Sequence, residues 1–183
     1  MSSLIFDSKI YGSAWADDDF RAIFDEPAMV TDWLEILSVL AETQAHFDLI
    51  PKDAALAIAE TCRATVVDGD FLDEVGVGFK DSGHSTQGLI LAIFRRCPEG
   101  AGEWFYYGTT VQDLTDTWMS RAILKSHVLI QQSLDKILAI LLPMANQYKN
   151  TTMAGRTHGQ QGLPITFGFK VANWAGEMAR HSE

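Results

Sequence analysis

The chain has 183 residues, 47% of them hydrophobic, and a formal net charge of −10. That apolar share can bury a sizeable core, in one domain or in part of a larger one. The acidity argues against nucleic acid and anionic membranes as partners, and a site for a polycarboxylate would have to concentrate the few cations locally.

Two cysteines, Cys62 and Cys97, stand at no metal-ligand spacing and make no disulfide framework. The expected setting is therefore a reduced cytoplasm. The opening stretch up to Asp7 lacks the basic start and long apolar centre of a signal peptide. The longest apolar run, Ile137 to Leu142, is far shorter than the eighteen or more residues of a membrane span, so no membrane association is expected. Asn150-Thr151-Thr152 matches a glycosylation acceptor, which would matter only in a secreted protein.

In chain order, Asp17-Asp18-Asp19 reads as a solvated turn or helix start. Pro27 opens a strong helix, with Val30, Trp33, Leu34, Leu37, Leu40 and Ala41 at i, i+3, i+4, i+7 spacing, and it stops before Pro51. A second, alanine-rich helix runs from about Lys52 to Val67 and is ended by Asp68-Gly69-Asp70. Phe71 to Phe79 reads as a shorter helix weakened by Gly76 and Gly78. Their lone G-x-G has no preceding strand and no third glycine. Asp81-Ser82-Gly83-His84-Ser85 is a turn before a helix over about 86–96, and Cys97 to Gly102 breaks the structure. We place an N-terminal helical domain at 1–103 and the start of a long-helix bundle at 104–183.

Thr110 and Asp113 fit a capping-box-like helix start. Free N–H groups at such a start attract anions, and the hydroxyls of Thr109 and Thr110 add donors, so a carboxylate is a plausible ligand there. Spacing alone favours plain capping. One helix then runs from Thr110 to about Tyr148, spanning roughly 58 Å at 1.5 Å per residue. Leu114, Trp118, Ala122, Val128, Leu129, Leu134, Ile137, Leu138 and Leu141 make it apolar on several faces, which suits the inside of a bundle. Pro143 should kink it near its end.

The richest stretch is Gly155-Arg156-Thr157-His158-Gly159-Gln160-Gln161-Gly162-Leu163-Pro164. It reads as a polar loop in which glycines let the backbone turn, with Pro164 in the first turn of a final helix that is still running at Glu183. His158 would then sit on a braced loop, where an acid/base group can meet a substrate. His46, His127 and His181 are scattered, and no P-loop, repeat or metal cluster is visible. Thr157, His158 and Gln160 with Thr109 and Thr110 make a set of neutral donors around one histidine, suited to a small carboxylated molecule. Elimination from a succinyl compound fits such a set, because donors fixed on a carboxylate stabilise the charge that develops there.

From Gly155 to Lys170 the sequence carries Gly-Arg-Thr-His-x-Gln followed by Pro-x-Thr-Phe-Gly-x-Lys. It thereby resembles the fumarase/aspartase superfamily, in particular the branch of adenylosuccinate lyase and 3-carboxy-cis,cis-muconate cycloisomerase. Gly108, Thr110, Asp113, Asp116 and Thr117 match that family's segment His-x-Gly-x-Thr-Ser-x-Asp followed by Asp-Thr. Ile10-Tyr11-Gly12-Ser13 resembles the branch's opening. The resemblance implies an all-α fold, with the N-terminal helical domain followed by the first long helices of the family bundle. It implies a lyase that releases fumarate without metal or organic cofactor, in a homotetramer whose active sites draw on three subunits. His158 would be catalytic. Tyr106, Thr109, Thr110, Arg156, Thr157 and Gln160 would bind substrate, and His84 lies at a turn where members place a polar residue or histidine. The family's serine base lies in a Ser-Ser-x-Met-Pro-x-Lys-x-Asn loop that these residues lack, so the chain reads as the N-terminal piece of a longer polypeptide. Three departures argue against adenylosuccinate itself: Ile10 replaces an arginine, Tyr106 a histidine and Val111 a serine. The rival readings are a carboxymuconate-type cycloisomerase and a non-catalytic helical assembly module.

Overall fold

A computed structural model describes residues 4–182. The first three residues, and the expected run of the last helix through Glu183, lie outside them. The chain divides into two compact units, the first ending at Lys125 and the second beginning at Ser126.

The first unit is helical. Asp17 caps α1 (Asp18–Phe24), its carboxylate accepting from the Asp19 and Phe20 N–H groups. Asp25 caps α2 (Glu26–His46) by accepting from Ala28 N at 2.8 Å, and Pro27 stands in the first turn, where no N–H is needed. The face of α2 formed by Val30, Trp33, Leu34, Leu37, Ala41 and Ala45 is buried. It meets α3 (Lys52–Ala64), whose buried face is small except for Ile58: Ala54, Ala55, Ala59 and Cys62. Burying a side chain such as Ile58, which is fully enclosed, contributes about 1.5–3 kcal/mol.

The next helix is longer than its two glycines suggest. α4 spans Gly69–Ser82, begun by Asp68 and ended by Gly83 in the left-handed conformation. The glycines serve packing instead. A Cβ on Gly78 would come within 2.4 Å of Gly88 Cα, and one on Gly88 within 2.1 Å of Val75 O. Bare backbone thus lets α5 (Gln87–Arg96) cross α4 at close range. Glu74 of α4 holds both Arg95 and Arg96 of α5, at 3.3 and 2.7 Å. The Arg96 bond, more than burial opposes it, holds the Glu74 carboxyl below its ordinary range.

α6 (Val111–Gln147) is a single helix that continues through Pro143. Its early residues Leu114 and Ala122 are buried in the first unit. There Arg121 and Lys125 reach back to the buried carboxylate of Asp32 at 3.5 and 2.6 Å. By length and composition alone, α6 is also apolar enough to cross a membrane, its best eighteen-residue window having a mean hydropathy of 1.4.

The second unit departs from the expected loop and Pro164-initiated helix. Thr152–Thr157 and Gln160–Thr166 form an antiparallel hairpin, β1 and β2, and α7 (Phe167–His181) starts three residues after Pro164. Pro164 sits in β2 opposite Ala154, next to a bulge between Ala154 and Arg156, a place where a strand tolerates a missing N–H. The helix start belongs to Thr166, whose hydroxyl accepts from Phe169 N at 3.1 Å. α7 returns along the C-terminal half of α6. Gly168 N donates to Tyr148 O at 2.9 Å at one end, and Gln131 bonds Ser182 at the other.

Candidate active site

The residues singled out in the sequence fall into two groups, one in each unit. In the first, Phe105 is buried and Tyr106 follows with φ 67°, a left-handed conformation that a bulky side chain rarely adopts. Gly108, also at positive φ, completes the turn, and Gln44 Nε2 fixes it by donating to Tyr107 O at 2.7 Å. Backbone held in a sparse region clusters at functional sites, so this turn marks Tyr106 independently of any motif. Its hydroxyl lies 3.5 Å from Thr86 Oγ1, which is 3.4 Å from His84 Nδ1. Nothing in the sequence pointed to Thr86; only the tertiary fold puts it beside Tyr106.

Thr109 and Thr110 lead directly into α6. The reciprocal half of a capping box is present, since Asp113 Oδ2 accepts from Thr110 N at 3.0 Å. The same oxygen accepts from Thr109 Oγ1 at 3.3 Å. This corrects the picture of an open anion site. The Asp113 carboxylate already occupies the helix start, and the Thr109 proton points to it. The Thr110 side chain is exposed.

The second group lies on the hairpin. Thr157 and Gln160 pair across it, and the two residues between them, His158 and Gly159, have φ 52° and 73°. Two successive positive φ values make a type I′ turn, the connection whose twist matches the flanking strands. His158 therefore stands exposed at the tip of a rigid hairpin. Gly155 allows the strands to close, because a Cβ there would meet Leu163 O at 2.6 Å. The sequence signal for it was slight, a His-Gly pair between stretches whose strand-favouring residues are only Thr152, Thr157, Ile165 and Thr166. Arg156 lines a surface cavity of about 230 Å³ with Met153, Ile165, Lys170 and Trp174. Lys170 lies over the Trp174 ring at 5.2 Å, so two cations gather on one side of the hairpin base. Among the described residues, no group of His, Cys, Asp and Glu could hold a metal ion.

With this geometry in view, the comparisons are specific. A family model described as lyase matches residues 13–183. Trans-aconitate decarboxylase 1 of Mycosarcoma maydis is 35% identical over 176 residues, covering 96% of this chain and 34% of that protein. N-acetyl-S-(2-succino)cysteine lyase of Dickeya dadantii (strain 3937) is 33% identical over 181 residues, covering 99% of this chain and 39% of its own length. Among solved structures, the beta-carboxy-cis,cis-muconate cycloisomerase of Acinetobacter calcoaceticus sp. ADP1 matches with a TM-score of 0.87 and 28% identity, over 95% of this chain and 41% of that one. The chain thus spans well under half the length of these relatives. A match over nearly all of its residues, on the helical architecture already described, shows that the chain belongs to the lyase family of the fumarase/aspartase superfamily, in the adenylosuccinate lyase and carboxymuconate cycloisomerase branch, of which it is an N-terminal portion.

Proposed function

We propose that the protein is a lyase that eliminates an amine or another leaving group from a small succinyl-type substrate and releases fumarate. The observation that carries this reading is His158 at the tip of the type I′ turn, flanked by paired Thr157 and Gln160 inside the family's motif. An imidazole on a rigid turn can transfer a proton on the leaving-group side or orient a substrate carboxylate. Thr157, Gln160, Tyr106 and the exposed Thr110 hydroxyl supply hydrogen bonds to carboxylates, and Arg156 supplies charge; Thr109, whose proton goes to Asp113, drops out of that set. The catalytic serine of such enzymes belongs to a segment outside these residues, so the active site is completed by other parts of the protein and, by family analogy, by neighbouring subunits of a cytoplasmic homotetramer. No metal or organic cofactor enters this scheme.

The named relatives fit a carboxylated substrate, since trans-aconitate, a succinylated cysteine and a carboxymuconate all carry carboxylates. The match to a cycloisomerase structure at a TM-score of 0.87 favours lactone formation as the second reading. The full-length protein should be offered succinyl amines, succinyl thioethers and carboxymuconate in parallel. Fumarate from a succinyl compound supports the proposal, and lactone alone supports the rival.

A further inference from the structure

We propose that Thr86 is a positioning residue for Tyr106, the buried link through which His84 holds the Tyr106 hydroxyl toward a bound carboxylate. The assignment rests on the elimination reading above, but its evidence is local. Thr86 is the N-cap residue of α5, and its carbonyl accepts from Ile90 N at 2.9 Å as a cap should. A threonine at that place ordinarily turns its hydroxyl to the free N–H groups of the first turn. This one makes no such bond. It is fully buried, and its oxygen faces Tyr106 Oη and His84 Nδ1 instead. Ser82 Oγ accepts from His84 N at 3.1 Å and so braces the turn that carries the imidazole. The Tyr106 backbone is itself held in the left-handed region. A diverted cap and a strained tyrosine thus meet at one pair of oxygens.

A hydroxyl has one proton and two acceptor positions. When Thr86 donates to Tyr106 Oη, it accepts from His84 Nδ1, and the Tyr106 O–H remains free to donate to a ligand. The relay therefore turns the tyrosine into a directed donor.

The test uses the full-length protein with Thr86→Val, Thr86→Ser, Tyr106→Phe and the Val/Phe double variant. Thr86→Val should raise KM about tenfold, the scale of one lost hydrogen bond, and lower kcat less. Thr86→Ser, which keeps the hydroxyl, should restore KM to within about twofold. The double variant should be no worse than Tyr106→Phe alone, because both changes remove one shared function. Independently of any activity, the Cζ carbon signal of Tyr106 in tyrosine-labelled protein, assigned by its loss in Tyr106→Phe, should move in Thr86→Val and stay in Thr86→Ser. Should Thr86→Val fail to fold, His84→Ala probes the relay from its exposed end and should move the same signal. Additive KM effects, or a Tyr106 signal indifferent to Thr86 or His84, would overturn the proposal. A signal that moves in a protein releasing no fumarate would keep the relay and sink the elimination reading.

Discussion

In the proposed elimination, His158 is the residue on which the chemistry turns, and its backbone makes it unusually testable. Asparagine adopts positive φ more readily than most residues and favours type I′ turns before glycine. His158→Asn should therefore keep the hairpin, with stability changed by about 1 kcal/mol or less. If the imidazole transfers protons, kcat of the full-length enzyme should fall about 100-fold or more. A normal kcat with a much lower melting temperature would make the histidine structural. A second residue-scale expectation concerns thiols. Burial, reinforced by Cys97, pushes the Cys62 thiol up to about 12. Because the folded state resists losing that proton, its contribution to stability is intact below pH ~9 and is lost as pH rises from there toward 12. Native Cys62 should resist iodoacetamide at pH 8 while the denatured chain reacts, and Cys62→Ala should flatten the alkaline fall in the guanidinium midpoint. Rapid native labelling would contradict this. The motif that carries His158 was legible from the sequence because its residues are nearly consecutive. The left-handed backbone at Tyr106 and the placement of Thr86 were not, since the turn at Tyr106 is fixed by Gln44 and Thr86 meets Tyr106 only through the tertiary fold.

At the scale of elements, the long periodic helices were readable because their buried faces repeat at helical spacing. Two features were not, and in both a residue's local preference was overruled by packing. Gly76 and Gly78 suggest a short, weak helix, yet α4 runs for fourteen residues because Gly78 lies against Gly88 of α5. The pair invites opposite substitutions. Gly88→Ala drives a Cβ into Val75 O and should destabilise by about 1–3 kcal/mol. Gly76→Ala meets nothing within 4 Å and should stabilise by about 0.5–1 kcal/mol, the helical preference of alanine over glycine. Thermal melts of both variants decide the matter, and equal effects would refute the close crossing. Pro164 was the other misleading residue. Its suitability for a helix start was real, but Thr166 supplies the cap, and the strand pairing with Ala154 extends the hairpin up to it.

For the whole molecule, α6 sets the expectation. Ile123, Leu124, Val128, Ile130, Ile140 and Leu142 are exposed along it, more apolar surface than a solitary soluble helix carries. In a family built on long-helix bundles, neighbouring helices cover such a surface. Residues 1–183 should accordingly sediment as a dimer or larger species at micromolar concentration, and a helical, well-behaved monomer would count against a merged bundle. The same piece should show no lyase turnover, because the family's serine loop is not among its residues. Elimination with release of fumarate is read out by proton NMR of the full-length protein acting on succinyl amines and thioethers. The vinyl signal of fumarate should grow in step with the freed amine or thiol and slow about 100-fold in His158→Asn. Substrate consumed without fumarate, or fumarate released at an unchanged rate by His158→Asn, would contradict the proposal.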